Sequence, residues 1–489
     1  MGPRSVILLA LACLFPSHEG GASDAPPLQQ KVVPAKLRQN EEKARVAASG
    51  ELVALAKSCI ALNAIDEARS VCVVAAAIAP ADDGWRAVIP KLAQKKNHPT
   101  KDDLAKLEER RKAALTKGVE ILTPIVASFD AADLSDDLAR VVALMKAQSM
   151  PIDALVKKYD LVWYEPYCDW RRKKDVERFK AGFEIVDDAW CDQEKVTKLD
   201  AEHGSWGHRW NVADEAHEVE TTMPVHTARM VLMMVGSFRR FLLGYLGGEV
   251  DLRAPRPKLP IILTKTRAEM ETRAHEFGPS EKLSGAAAFY LAGSGVGNPC
   301  FVSFEMLDAT GKTLNVDLVG LRPALLHEVT HQILYEYLKH AVDPKGRPGT
   351  DAWLEEGIAE FLPNFVSVEG AWTLTYPRKT PSGTAGTFVE AGLGWCHDHA
   401  DQLKPTAEFI TYDTSRMDVA AYHQGDGFVA YLLEGKEHAY RQGACKLIEL
   451  AHESKVSAAS FAACFPGVDV NALDAEFRAW CKGLKISDQ

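Results

Sequence analysis

Residues 325–334 read Leu325-Leu326-His327-Glu328-Val329-Thr330-His331-Gln332-Ile333-Leu334. Leu325, Val329, Ile333 and Leu334 recur at helical spacing, and no Pro or Gly interrupts residues 324–343. On a helix, residues i and i+4 stand one above the other, so His327 and His331 can aim their imidazoles at one ion. Glu328 is turned by about 100° from His327. From there it reaches a water held by the ion without being a ligand itself. The segment therefore predicts a helix with two zinc ligands, His327 and His331, and a general base, Glu328.

Residues 351–361 read Asp-Ala-Trp-Leu-Glu-Glu-Gly-Ile-Ala-Glu-Phe. Asp351 is placed to cap a second helix, which carries Glu356 as a candidate third ligand. Gly357 beside it removes a side chain where two helices must approach closely around an ion. Glu360, one turn on, is placed to accept the second imidazole proton of a ligating histidine.

HEVTHQ followed by WLEEGIAEF resembles the gluzincin metallopeptidases, the HExxH-plus-glutamate clan that includes thermolysin-like enzymes and the M1 aminopeptidases. The WLxEGxAxF phrase is especially similar to M1-like and peptidase-MA-like domains. The resemblance implies an α+β chain: a thermolysin-like zincin catalytic domain with a small mixed sheet before the HExxH helix, and a mostly helical C-terminal part. It also implies one catalytic Zn2+, with Glu356 rather than Glu355 as third ligand and Glu360 behind the ligands. Ala421-Tyr422-His423-Gln424-Gly425 resembles the segment whose tyrosine donates a hydrogen bond to the tetrahedral oxyanion. That role falls on Tyr422, or on His423 if the register differs by one; the alternative for Tyr422 is an ordinary aromatic on a helix. The likeness spans 258–440 and, loosely, 160–257. The GxMEN motif that captures a free peptide N-terminus is missing. Gly295-Val296-Gly297-Asn298 and Phe304-Glu305-Met306 stand in that region, so an endopeptidase is expected rather than an aminopeptidase.

Outward from the motif, residues 1–22 place Arg4 before the apolar run Val6–Phe15, the layout of a signal peptide. Export to the periplasm, cell surface or medium is expected. Cleavage near Ala22 gives a soluble protein, whereas cleavage before Cys13 gives a lipid-anchored one. Residues 23–35 read as a linker. Residues 36–158 are Ala-, Leu-, Lys- and Glu-rich, a helical domain with helices expected at 101–118, 131–146 and 151–158. Leu55-Ala56, Cys59, Leu62, Glu67-Ala68 and Ala77-Ile78 before Pro80 resemble one tetratricopeptide-type unit, which implies a protein partner for this domain. Residues 159–257 are a mixed region leading into the catalytic domain at 258–489. It holds strands at Val162–Tyr164 and Trp210–Met223 and a helix from His226 to Leu246. In that helix Met230, Met233 and Met234 fill core and Arg239-Arg240 face solvent. A Pro-rich stretch, Arg253 to Pro260, precedes strands at Ile261–Leu263, Phe301–Leu307 and Leu314–Leu318. Asp308–Lys312 turns between the last two, and helix resumes from Pro323.

The chain has 489 residues, is 47% hydrophobic and carries a net charge of −10 without a basic block, which argues against a nucleic-acid partner. No apolar run is long enough for a transmembrane segment. Ten cysteines occur, none in CxxC. Export permits disulfides, with Cys59–Cys72, Cys168–Cys191 and Cys445–Cys464 as local pairs. His397 with His399, or His203 with His208, could hold a second metal, though surface polar roles account for them as well. The expected function is zinc-dependent peptide hydrolysis with Glu328 as general base. An extended peptide or protein substrate would lie along a sheet edge at Phe301–Leu307 or 314–318. The alternative is a secreted, non-catalytic zinc-containing binding domain with a helical interaction module. A structural zinc takes four protein ligands, and three favour an open position.

Overall fold

Five strands form the central sheet: β1 (Trp210–Ala213), β2 (His217–Thr221), β3 (Leu259–Thr264), β4 (Ala288–Tyr290) and β5 (Cys300–Ser303). Their order is β1-β2-β3-β5-β4. β2, β3 and β5 run parallel, whereas β1 and β4 close the two sides antiparallel. This computed structural model describes residues 34–487 except 80–81, 93–98, 188, 248, 251, 253–256, 278–287, 292–296, 308–312, 339–351, 378, 382–387 and 453–455. The signal segment with Cys13, residues 23–33 of the linker, Gly295-Val296, the Asp308–Lys312 turn and the Asp351 cap lie outside the described residues.

β3 reads as an almost unbroken apolar run because both of its faces are covered, as in a parallel sheet layered by helices. Successive side chains point to opposite faces. Ile261 and Leu263 therefore enter the large core with Leu325, Val329 and Ile333, while Ile262 packs with Met270, Phe289 and Phe301 on the other side.

The expected strand Phe301–Leu307 is two strands. The chain leaves the sheet after Ser303, whose hydroxyl accepts the Glu305 N–H at 3.0 Å. Glu305–Leu307 then pairs antiparallel with Thr313–Asn315. β5 lies between β3 and β4, so it is not an edge; the outer strand is β4. Leu318 opens a helix rather than ending a strand. Asp317 caps that motif helix (Leu318–Tyr337) by accepting the Gly320 N–H at 2.9 Å. The buried row Leu321, Leu325, Val329 and Ile333 carries the helix across Pro323, which a reading from Pro323 alone misses.

Helices Ala35–Ala61, Ile65–Ile78, Lys101–Ala131 and Ser135–Ala147 have a core of their own. The third overruns its expected end at 118. Leu122, Ile125, Val126 and Phe129 continue its buried face, and the bare Gly118 admits Met150, whose Cε would stand 2.9 Å from an added Cβ.

Arg239 corrects another expectation, since it is buried in the helix Val225–Leu246 and not exposed. Its guanidinium donates to Glu215 at 2.6 Å, and Glu215 also faces Arg140 and Arg45 from the N-terminal helices. Burial alone would raise the Glu215 carboxyl, but Arg140, Arg239 and Arg45 hold it well below the usual carboxylate range. Buried charges need such partners, and these come from three distant stretches of sequence. Met234 does enter the core, with Met233 packed against it and Met230 against the Tyr167–Phe179 cluster.

The expected disulfides are not present: all nine described cysteines are free thiols. Cys59 and Cys72 pack as small apolar groups, and burial pushes their thiols up to about 11 and about 12. Cys168, Cys396 and Cys445 donate instead to Glu165 O, His423 O and Glu249 Oε2. The C-terminal part is helical, chiefly Val419–Glu434, Arg441–His452 and Val470–Lys482. Among the described residues, no helix is long and apolar enough to cross a membrane. The architecture is α+β, a mixed sheet before the motif helix with helical regions on either side in sequence.

Candidate metal centre

The motif helix crosses a second helix, Ala352–Phe361, which packs in turn on Val419–Glu434. A Cβ on Gly357 would stand 2.6 Å from Gly425 O and 2.9 Å from Val429 Cγ2, so that last crossing needs glycine. It brings the Glu356 backbone against the helix that carries Tyr422.

His327 Nε2 and His331 Nε2 are 3.1 Å apart, and Glu356 Oε2 lies 3.3 Å from each. Among the described residues, these three form the only cluster of three metal-ligating side chains. Nitrogen and oxygen ligands at about 2.0–2.1 Å from a tetrahedral zinc stand about 3.3–3.4 Å from one another. The three donors match that spacing. Glu356 Oε2 is buried and makes no hydrogen bond, a costly condition for a carboxylate oxygen that a cation between the three donors relieves.

Electrostatics agree with the geometry. Burial alone would raise the Glu356 carboxyl, but the two imidazoles bring it to about 2. Burial likewise works against charge on His327, yet Glu356 and Glu360 raise its imidazole well above the ordinary value. The site thus draws positive charge to a point between its donors. A metal that occupies it displaces protons.

Glu328 stands beside the triangle, with Oε1 at 4.0 Å from His327 Nε2 and Oε2 accepting the Tyr290 N–H of β4 at 2.7 Å. Burial raises its carboxyl, and the two imidazoles oppose that rise. Glu360 Oε1 lies 3.3 Å from His327 Nδ1, on the ring side facing away from the triangle. Tyr422 is half-buried on a helix capped by Asp418. Burial, then the negative field of Glu356, Glu360 and Glu328, pushes its phenol pKa up, so the hydroxyl keeps its proton. His423, one residue on, lays its ring against Trp395 at 5.6 Å.

No family model matches this chain, and no curated protein matches it.

The other histidine pairs do not converge. His203 Nδ1 contacts His208 O at 2.6 Å and its ring stacks on Trp210. His397 contacts Asp398, and His399 contacts Trp395 O and stacks on the Trp395 ring. Two polar residues behind the site escaped the sequence reading. Asn364 donates to Glu360 O at 3.2 Å and to both oxygens of buried Asp426 at 3.1 and 3.2 Å. Burial, then Glu360, raises the Asp426 carboxyl well above the usual range. Each lies four residues after a recognised one (Asn364 after Glu360, Asp426 after Tyr422), and that spacing was the available signal.

Proposed function

We propose that the chain is a zinc-dependent peptidase of the gluzincin type with a thermolysin-like catalytic unit, cleaving within extended peptides or proteins outside the cytoplasm. The observation that carries this reading is the triangle of His327, His331 and Glu356 with Glu328 beside it and no fourth protein ligand among the described residues. Zinc held there supplies Lewis acidity, which lowers the pKa of a bound water and polarises the scissile carbonyl.

The chain's own groups do the rest. Glu328, raised by burial, accepts the proton of the attacking water and passes it to the leaving amine. Tyr422, which keeps its proton, donates to the oxygen on which negative charge develops. Glu360 accepts a hydrogen bond from His327 Nδ1–H, which fixes the tautomer so that Nε2 keeps its lone pair for the metal. β4, the outer strand beside Glu328, is the sheet edge along which an extended substrate would lie; its Tyr290 N–H, held by Glu328, is not among the groups the substrate pairs with. That edge replaces the Phe301–Leu307 segment expected from sequence.

Endopeptidase action is supported by the occupied polar groups in the region where an amine-capturing motif would lie. Glu305 accepts the Arg267 N–H at 2.9 Å, and Asn298 is bound to Glu336. The test is a mixed peptide library digested by the zinc-loaded protein and by Glu328→Gln. Internal cleavage that Glu328→Gln abolishes while retaining zinc is expected. A zinc-loaded wild type that cleaves nothing sinks the proposal.

A further inference from the structure

Glu328, Gln332 and Glu336 stand at i, i+4 and i+8 on the motif helix. They form one row, beside the row of His327 and His331. This row faces the strands. Gln332 Nε2 donates to Pro260 O in β3 and to Asn298 O before β5, both at 2.9 Å. Glu336 Oε1 accepts the Tyr290 hydroxyl at 3.0 Å, the Asn298 N–H at 3.0 Å and the Asn298 side-chain amide at 2.8 Å. Its Oε2 accepts the Gly297 N–H at 2.9 Å.

Tyr290 is therefore gripped twice by the same helix, its phenol by Glu336 and its backbone N–H by Glu328. The next amide, Leu291 N–H, points the other way, to Pro299 O. Because successive amides of a strand alternate in direction, the Tyr290 N–H faces the outer edge of the sheet, where Glu328 stands. Four neutral donors converge on Glu336, and hydrogen bonds to a charged acceptor are the stronger kind. A serviceable staple for the 297–298 loop needs no tyrosine. The phenol is the part that links Glu336 to the amide beneath Glu328.

We propose that Glu336 is a positioning residue for the hydrolysis assigned to this site: through the Tyr290 phenol it fixes the strand amide that holds Glu328 Oε2, which leaves Oε1 turned toward the histidine–glutamate triangle. The inference rests on the reading of Glu328 as general base. The terminal torsion of a glutamate is soft, so a carboxylate without this anchor can swing. A misplacement of about 1 Å costs about 100-fold in rate.

The test compares zinc-loaded wild type with Tyr290→Phe, Glu336→Gln and the double variant. In Glu336→Gln the new amide group faces a donor and cannot accept all four hydrogen bonds. Expected are a kcat lower by about 10- to 100-fold, a KM nearly unchanged, full zinc content, and a double variant no slower than the slower single one, because both changes cut one linkage. Hydrogen exchange at the Tyr290 amide is expected to speed up in each variant. An unchanged kcat, multiplicative losses in the double variant, loss of zinc or unaltered Tyr290 exchange overturns the proposal. Should Glu336→Gln fail to fold, Tyr290→Phe carries the test alone, since it keeps the ring packed edge-on against Tyr335. A wild type without peptide turnover strikes the hydrolase reading itself. The exchange measurement needs no substrate and still decides whether Glu336 holds the amide.

Discussion

Gly357 and Gly50 both lie inside helices, and the same change to alanine has opposite consequences at the two positions. A helical Gly→Ala gains about 0.8–1 kcal/mol from backbone propensity alone. At Gly50, exposed on the first helix, an added Cβ meets nothing within 4 Å, so Gly50→Ala stabilises by about that amount. At Gly357 the Cβ would stand 2.6 Å from Gly425 O, 2.8 Å from Gly425 C and 2.9 Å from Val429 Cγ2. Carbon contacts settle at about 3.5–4.0 Å, so the two helices must part by roughly 1 Å. The nearest obstacle is backbone and cannot rotate away. Overpacking of this kind costs about 1–3 kcal/mol; less the propensity gain, Gly357→Ala loses about 0–2 kcal/mol net. The displaced helices carry Glu356 and Tyr422, so kcat should fall about 10-fold or more as well. Urea unfolding of both variants alongside peptide turnover makes the comparison. A Gly357→Ala protein stabilised like Gly50→Ala, with undiminished turnover, refutes the argument that this crossing sets the site.

Tyr422→Phe removes only the hydroxyl proposed to steady the oxyanion and should lower kcat by about 100- to 1000-fold while zinc content stays full; unchanged kcat would rule out the oxyanion role. Arg229 and Arg171, against the opposing effect of burial, hold the Asp136 carboxyl far below the usual range. The unfolded group takes up its proton first as pH falls, so the stabilisation is present above about pH 4 and is lost below it, toward the folded pKa. Asp136→Asn should therefore destabilise at pH 7, with the gap to wild type narrowing below pH 4 in urea unfolding. A gap that does not change with pH counts against the ion pairs. Because the nine described cysteines are free, dithiothreitol should leave the thermal midpoint of the protein unchanged; a marked fall would reveal a disulfide.

What was legible in the sequence is what local spacing controls. His327 and His331 share a helix face by their separation of four, and Glu356 with Gly357 announces the second helix by its neighbours. The motif-helix boundary was obscured because Pro323 is tolerated where Leu321 and Leu325 are already buried against the sheet. Arg239 looked solvent-facing since Glu215, which neutralises it, and Arg140 and Arg45, which share that carboxylate, come from elsewhere in the chain. The strand at Phe301 ended early because of a serine–backbone bond, Ser303 to Glu305, that β propensity does not register. Tyr290 went unnoticed for a related reason. Its function-relevant atom is a backbone N–H, which any residue but proline possesses. The cysteine pairings failed because sequence proximity says nothing of whether two sulfurs face each other.

The central claim is that His327, His331 and Glu356 clasp one zinc ion and leave a coordination position to solvent. A crystal structure of the zinc-loaded protein tests it most directly. The account predicts a single ion bound by Nε2 of both histidines and by Glu356, its remaining position taken by water, with the Glu328 carboxylate beside that water. An ion bound elsewhere, a Glu356 carboxylate turned away, or a fourth side chain closing the coordination shell would contradict it.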